Sequence, residues 1–409
     1  MVSSWRHALA FSAAAPYCDS RARTYNTSPL PLCAPAANFC GAKVHVPSDL
    51  SYAHLMCDDN MYFGNSFNVN GSMQTVGKDV YLTNVIGNAS LAWLEEQAAA
   101  GGPFFAYIAP HAPHVPATPA HEYENAPLPS ETAPRTPNWD YATQHHHWLV
   151  SNKKPLTPEL VAFSDELYAR RLRATMSVDD IVAAVFALLQ GKGLLESTYV
   201  IYTSDHGYNM GAFRLPSGKF HVFENDIRVP FYVAGPGVTP GAALDTTLVN
   251  NVDIGATVLD LAGLGGAGYA TDGRSFAAQL SAAGRAAAAW PRDRLLNEYW
   301  GMGYTERGPC HNGTSPCPGG VQALEDAPSN SWSALRILNA SHNLAYIEYR
   351  GASDAPVAPG STNFTMLFDM QADPWQLVNL AKNDSTAGLV AALHGELWAV
   401  ATCQGSACP

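Results

Sequence analysis

The chain alternates short apolar runs with longer segments that carry a helical period. Runs rich in β-branched and aromatic residues predict strands at 103–108, 199–203 and 229–234. Apolar residues recur at three- and four-residue steps over 80–97 and 160–190, which predicts two long helices with one face each for burial against a sheet. We therefore expect an α/β fold built on an open sheet.

A different pattern follows the amphipathic helix that we predict at 250–263. An Ala-rich segment begins after Gly273 and leads to Pro291. Beyond it, antiparallel strands are predicted at 294–299, 332–338, 344–349 and 366–370. A helix at about 388–401 is expected to end the chain. The expected organisation is an irregular or replaced N-terminus (1–44), an α/β domain (45–285) and a smaller α+β C-terminal domain (286–409).

Composition narrows the class of protein. The 409 residues are too many for one small core, and 47% hydrophobic with 14% charged residues is typical of a well-buried globular chain. The formal net charge of −12, with no basic run, argues against a nucleic-acid partner. No apolar stretch approaches the roughly 20 residues of a membrane span, and the apolar run at 8–15 is a weak candidate for a signal-peptide core.

Sequons and cysteines favour a secretory or lysosome-like compartment. Asn-x-Ser/Thr sites occur at Asn26, Asn70, Asn88, Asn312, Asn339, Asn363 and Asn383. Eight cysteines lie outside the central α/β region, and their short spacings suit local disulfides. The candidate pairs are Cys403 with Cys408 and Cys310 with Cys317. The alternative is free buried thiols in a cytosolic protein.

The strand predicted at 199–203 ends at Asp205-His206-Gly207, where chemistry is expected in an open α/β sheet. A carboxylate beside an imidazole can bind a divalent cation, and Lys219 on the next loop can meet an anion drawn to that cation. Alone, this tripeptide is equally typical of a turn or a cap.

The sequence around the tripeptide favours a metal site over a plain turn or cap. The segments TSDHGY, FRLPSGK and ENDIRVPFYVAGPGV resemble, in register, the metal-and-substrate segment of the type I sulfatases, most closely the branch that includes N-acetylglucosamine-6-sulfatase. The resemblance implies that Asp205 and His206 bind calcium and that Lys219 contacts the sulfate. In the loop APHAPHVP it places a proton-transferring histidine at His114, while His111 is expected only to hydrogen-bond within the loop.

The resemblance also implies a fold, a substrate and an activity. Its fold is the alkaline-phosphatase-like α/β/α sandwich with a smaller α+β C-terminal domain. Its activity is hydrolysis of sulfate esters on glycans of the glycosaminoglycan type, with 6-O-sulfated N-acetylglucosamine as the expected group. Related alternatives are a metal-dependent phosphodiesterase of the same superfamily and a catalytically silent glycan-binding glycoprotein.

Part of the family's site is missing from this sequence. The family's nucleophile is a formylglycine made from the cysteine of C-x-P/A-x-R, but Cys33-Ala34-Pro35-Ala36-Ala37 has Ala37 where the arginine is required. Calcium takes six or more oxygen ligands, so Asp205 and His206 alone are an incomplete set. We expect the N-terminal catalytic segment to be absent or replaced.

Two further expectations concern histidines. If the strands closed by Ile108 and Thr203 are neighbours in one sheet, His114, Asp205 and Lys219 should surround one cleft within roughly 10 Å. The run at 145–147 has three adjacent histidines that point in different directions, so we predict solvated surface there rather than a metal site.

Without the cysteine motif, this chain should not release sulfate from 4-nitrocatechol sulfate or from a sulfated glucosamine. The measurement is sulfate release after expression in a host that carries the formylglycine-generating enzyme. Calcium-dependent release, together with a mass loss at one cysteine, would contradict the prediction and identify the nucleophile.

Overall fold

The computed structural model describes residues 62–70, 72–143, 145–265, 271–301, 326, 328–350, 362–405 and 408, and the backbone of four other short strands. In this part of the chain the strands are β1 (Ala8–Ser12), β2 (Tyr52–Met56), β3 (Ser66–Val69), β4 (Ser72–Thr75), β5 (Phe105–Ile108), β6 (Val200–Thr203), β7 (Phe231–Ala234), β8 (Arg294–Tyr299), β9 (Thr305–Glu306), β10 (Leu324–Glu325), β11 (Trp332–Leu338), β12 (Asn343–Arg350) and β13 (Thr362–Asp369). The α-helices are α1 (Leu82–Ala100), α2 (Trp148–Ser151), α3 (Pro158–Gly191), α4 (Glu224–Ile227), α5 (Asn251–Leu261), α6 (Ala282–Ala287) and α7 (Ala387–Ala401).

The chain forms two compact units, the first from 1–132 and 166–198 and the second from 133–165 and 199–409. The first unit holds a five-stranded sheet in the order β4-β3-β2-β1-β5, in which β1 runs parallel to both β2 and β5. Its core packs α1 against the strands and against α3. At Gly87 of α1 an added Cβ would lie 2.8 Å from Ile181 of α3, so the glycine permits the close packing of the two helices.

The second unit contains two antiparallel sheets. Strands β6 and β7 form a pair of their own, and the C-terminal sheet has the order β13-β12-β11-β8. Nearly every residue of β12 is buried. Because successive side chains of a strand point to opposite faces, both faces of β12 are covered. Ile347 and Tyr349 join a core with Phe213 and Phe223, whereas Tyr346 faces the core shared with α7.

The periodic segments fold as the sequence predicts. Helices α1, α3, α5 and α7 and strands β8, β11, β12 and β13 lie within a few residues of the predicted ranges. Helix α5 begins with a capping box, in which Asn250 and Asp253 exchange side-chain and backbone hydrogen bonds. None of the helices described here combines the length and the apolar character that a membrane span needs.

Three predictions about strands differ from the structure. Residues 8–12, for which the sequence predicts irregular structure, form β1 between β2 and β5, since periodicity alone does not separate a short strand from other apolar runs. The apolar run at 103–108 also predicts that this strand is buried, but Phe105 and Tyr107 of β5 are exposed. Ile108 and Thr203 close strands of different sheets, because β5 bonds to β1 whereas β6 bonds to β7.

The two compact units have other boundaries than the predicted domains and do not test them. The C-terminal sheet lies in the same unit as β6 and β7, and the structure divides the chain inside α3 rather than near residue 285. The boundaries at 44/45 and 285/286 stay predictions.

The histidine run is not solvated surface, contrary to prediction. His146 and His147 are each only 2% exposed. The His146 ring bonds Thr143 and lies with Nε2 2.7 Å from the carbonyl oxygen of Gln376, while the His147 ring stacks on Tyr349 at 3.8 Å between ring centres. Gln376 and Tyr349 are distant in sequence from the histidine run, so the composition around the run does not predict these contacts.

Buried histidines make the second unit sensitive to acid. Burial lowers the pKa of His146 and of His147 to about 4, and burial together with nearby Lys153 lowers the pKa of His221 to about 3. An unfolded histidine titrates near pH 6.5, so between pH 6.5 and 4 the unfolded chain binds more protons than the folded chain. Stability must therefore fall as the pH falls through this window.

We expect His221→Leu to reduce the loss of stability between pH 7 and pH 5 by about 2 kcal/mol, the linkage free energy of one such histidine. Chemical denaturation at both pH values measures it. His121, whose side chain is 65% exposed, provides the control, and His121→Leu should not reproduce the effect of His221→Leu. An unchanged pH dependence in His221→Leu would show that His221 does not contribute.

Candidate functional site

The Asp205-His206 pair follows the end of β6 with its side chains toward solvent. The backbone N–H of His206 donates to Asp205 Oδ1 at 3.0 Å, and His206 Nε2 lies 3.3 Å from Asp205 Oδ2. His206 Nδ1 lies 2.8 Å from the Gly207 carbonyl oxygen, which can only accept, so Nδ1 carries a proton. The Asp205 side chain is 74% exposed and that of His206 is 37% exposed. Carboxylate and imidazole are thus presented side by side on an accessible turn.

Gly207 lets this turn approach α4 very closely. Its N–H donates to the Asp226 carbonyl at 2.7 Å, and the N–H of Tyr208 donates to the Asn225 carbonyl at 2.8 Å. A Cβ on Gly207 would lie 2.0 Å from the Asn225 carbonyl oxygen. Only glycine permits this approach, which explains why the Asp-His pair is followed by glycine.

The carboxylate of Asp226 joins the two loops that carry the predicted site residues. This side chain is buried, with a residue exposure of 4%. Oδ1 accepts from Asn209 Nδ2 at 2.7 Å and from Asn225 Nδ2 at 3.3 Å, and Oδ2 accepts from the His221 backbone N–H at 2.7 Å. One carboxylate therefore links the loop after Asp205 to the segment after Lys219.

Lys219 lies in a segment fixed by its backbone on both sides. The Gly218 carbonyl accepts from the Asn209 N–H at 2.7 Å, and His221 is held by Asp226. Gly218 has φ +112° and Phe220 has φ +83°, so the chain turns through two left-handed conformations around Lys219. The Lys219 Nζ lies 5.9 Å from the centre of the Phe220 ring. The structure thus ties Lys219 to the Asp205 loop within one compact unit.

His114 lies in the first unit, in the loop after β5. Its ring Nδ1 lies 2.7 Å from the Val115 carbonyl oxygen, so Nδ1 carries a proton in this geometry. The His114 N–H donates to the His111 carbonyl at 2.9 Å, and its carbonyl accepts from Tyr62 Oη at 2.6 Å. Burial raises the pKa of Tyr62, which keeps this hydroxyl a donor. His114 is thereby held in one tautomer, and its convergence with Asp205 and Lys219 stays a prediction.

The calcium implied by the resemblance has an incomplete set of ligands here. Over the residues described, no group of three or more His, Cys, Asp or Glu side chains lies close enough to hold a metal ion. Asp205 and His206 supply two neighbouring donors, one of them a nitrogen, whereas calcium takes six or more oxygens. These residues alone do not fit a calcium site.

The predicted modification sites are distributed over both units. Five sequon asparagines are exposed: Asn70, Asn88, Asn339, Asn363 and Asn383. Asn88 lies within α1, and its partner Ser90 is buried with the hydroxyl donating to the Ile86 carbonyl at 2.7 Å. Cys403 and Cys408 are joined by a disulfide. Asn26, Asn312, Cys310 and Cys317 lie outside the described residues.

Sequence reasoning misses the residues that hold this arrangement. Asp226 belongs to the ENDIRVP segment, but its sequence context assigns it no role, and nothing in the sequence singles out Asn209 or Tyr62. The sequence does offer one signal for Asp226, since ENDI places an acidic residue a few positions before β7. The partners of Asp226 come from two loops, so their identity is not readable from spacing.

Comparison with known proteins gives the family. The sequence model of the family described as Sulfatase matches residues 21–264, more than half of the chain. The chain belongs to the sulfatase family. That match begins within the region predicted to be a replaced N-terminus.

Individual relatives agree with this assignment. The sulfatase chain is 34% identical over 378 residues to the N-acetylglucosamine-6-sulfatases of Capra hircus and of Homo sapiens, and each alignment covers 90% of the chain. It spans 64% of the goat protein and 65% of the human protein.

A solved structure of a protein in complex with its substrate, D-glucosamine-2-N,6-O-disulfate, superposes with a TM-score of 0.62 at 17% identity. That alignment covers 87% of this chain and 76% of the other. At this identity the likeness shows the fold alone. The predicted α/β fold of the sulfatases, with its small C-terminal sheet, is confirmed.

We expect Gly207→Ala to lower the free energy of unfolding by about 1–3 kcal/mol, because the new methyl group would overlap the Asn225 carbonyl. Urea denaturation measures the change. Gly255 in α5 has no heavy atom within 4 Å of an added Cβ, so Gly255→Ala should be neutral or stabilising. Wild-type stability of Gly207→Ala would contradict the close approach of the two turns.

Proposed function

We propose that this sulfatase binds sulfate esters on glycans, with 6-O-sulfated N-acetylglucosamine as the substrate group, and that their hydrolysis requires the family's nucleophile, whose cysteine motif is not found in this sequence. The observation that carries the proposal is the backbone bond between Asn209 and Gly218, which ties Lys219 to the Asp205-His206 turn. The relatives named N-acetylglucosamine-6-sulfatase and the disulfated glucosamine of the solved complex support the choice of sugar.

Lys219 is proposed to bind the sulfate. Its ammonium group has three N–H donors for the sulfate oxygens, and such charge-assisted bonds are stronger than neutral ones. Hydrogen bonds to the Gly218 carbonyl and from the His221 N–H restrain the backbone on either side, so little reorganisation is needed when an anion binds. Positive charge at this position stabilises the negative charge that sulfate carries before and during hydrolysis.

His114 is proposed to transfer the proton. With Nδ1–H directed at the Val115 carbonyl, Nε2 is the ring nitrogen left to take or give the proton. Asp205 and His206 are proposed as part of the calcium site that the family uses. A formylglycine nucleophile is general in the family, and its cysteine motif is not found in this sequence.

The secretory pathway is proposed as the compartment. The disulfide between Cys403 and Cys408 and the exposed sequon asparagines support an oxidising compartment with glycosylation. The buried histidines favour neutral surroundings, since the chain should lose stability below pH 6.5.

Calorimetric titration with N-acetylglucosamine 6-sulfate tests the binding proposal. We expect Lys219→Met to weaken binding roughly tenfold to a hundredfold, the effect of losing a hydrogen bond to a charged group. Lys192→Met changes an exposed lysine at the end of α3 and should bind like the wild type. Unsulfated N-acetylglucosamine should bind more weakly than the sulfated sugar to the wild-type protein.

Equal affinity for the sulfated sugar in wild type and Lys219→Met would contradict the proposed role of Lys219. Sulfate release is measured in the same samples. Binding without release is expected from the missing cysteine motif and agrees with the silent glycan-binding alternative, whereas calcium-dependent release would show that a nucleophile is present.

A further inference from the structure

The carbonyl oxygen of Phe220, next to Lys219, is held by side chains of the C-terminal part of the chain. It accepts from Trp332 Nε1 at 3.2 Å and from Asn330 Nδ2 at 3.2 Å. Trp332 is the first residue of β11, and it is 4% exposed, while Asn330 is fully buried. Two buried donors thus converge on a single backbone oxygen one residue after the predicted sulfate ligand.

The donors are themselves anchored. Asn330 Nδ2 carries two hydrogens, and its second acceptor is Asp326 Oδ1 at 3.0 Å. Asp326 Oδ2 accepts from the Tyr299 hydroxyl at 2.8 Å. Burial, with Asp326 beside it, raises the pKa of Tyr299, so the hydroxyl stays protonated as a donor. The Tyr299 ring stacks on Phe220 at 5.6 Å between ring centres. Tyr299 therefore contacts both Asp326 and the residue whose carbonyl is held.

The conformation of Phe220 explains why such an anchor is needed. A bulky residue at φ +83° is strained, and strain of this kind persists only where the surroundings determine the conformation. Relaxation of Phe220 would rotate the peptide that follows Lys219 and so redirect its side chain. Gly218 on the other side of Lys219 carries no Cβ and offers no resistance to that rotation.

We propose that Trp332 and Asn330 are positioning residues for Lys219, acting through the Phe220 carbonyl. The C-terminal sheet is then part of the anion-binding site and not only a supporting layer. This inference rests on the proposed role of Lys219 in sulfate binding, but the order of the Lys219 side chain can be measured without any ligand.

The test compares Trp332→Phe with Trp290→Phe. Trp290 is the control, because its Nε1 also donates to a backbone carbonyl, that of Leu248 rather than that of Phe220, at 2.8 Å. Lysines are labelled by reductive ¹³C-methylation, which keeps their charge, and the Lys219 resonance is assigned with Lys219→Arg. Thermal unfolding is recorded for every variant to confirm that it is folded at the temperature of measurement.

In Trp332→Phe we expect the Lys219 resonance to sharpen and shift toward that of an exposed lysine. Affinity for N-acetylglucosamine 6-sulfate should fall roughly five- to tenfold, the factor that one hydrogen bond carries. Trp290→Phe should leave the Lys219 resonance and the affinity for the sulfated sugar unchanged. A Lys219 resonance that is the same in Trp332→Phe and wild type, or that changes equally in Trp290→Phe, would overturn the proposal.

The two proposals fail in different ways. If the wild-type protein does not bind the sulfated sugar while Trp332→Phe still changes the Lys219 resonance, the positioning role stands and the proposed function is wrong. If binding is normal in wild type and Trp332→Phe changes neither readout, the positioning role is wrong and sulfate binding stands.

Discussion

The arrangement of the candidate site depends on one buried carboxylate, that of Asp226. A buried charge is costly unless its hydrogen-bonding capacity is used, and here the donors are Asn209 Nδ2, Asn225 Nδ2 and the His221 backbone. These donors come from the loop after Asp205, from α4 and from the segment after Lys219. Satisfying this carboxylate therefore brings these segments together, in addition to the backbone bonds from Asn209 to Gly218 and from Gly207 and Tyr208 to α4. The close approach of Gly207 to α4 is part of the same arrangement.

The hydrogen bonds around Asp226 also restrain the segments that carry the predicted site residues. Asn209 holds Asp226 with its side chain and Gly218 with its backbone, so the Asp205 turn and Lys219 share one rigid connection. On the other side of Lys219, the C-terminal sheet bonds the Phe220 carbonyl. A mobile lysine would lose entropy on binding an anion, whereas a lysine on a fixed backbone loses less. In the second unit the backbone on either side of Lys219 is therefore bonded to the loop after Asp205 and to the C-terminal sheet.

The sequence predicts what local periodicity determines. Helices α1 and α3 and strands β11 and β12 lie where the spacing of apolar residues places them. Strand pairing is predicted less well, because the choice of hydrogen-bonding partner for β5 and β6 is not encoded in either strand alone. The burial of His146 and the role of Asp226 escape sequence reasoning for the same reason, since their partners lie far away in sequence. Resemblance supplies Asp205, His206, Lys219 and His114 as candidates, whereas the residues that hold them emerge only from the structure.

Lys219, tied to the loop after Asp205 by the backbone bond between Asn209 and Gly218, is proposed as a sulfate-binding cation. A crystal structure of the protein soaked with N-acetylglucosamine 6-sulfate tests it most directly. We expect a sulfate oxygen within about 2.7–3.2 Å of Lys219 Nζ, with the sulfate on the side of the segment that faces Asp205 and His206. A sugar bound elsewhere, with Lys219 directed into solvent and Phe220 relaxed out of its left-handed conformation, would contradict it.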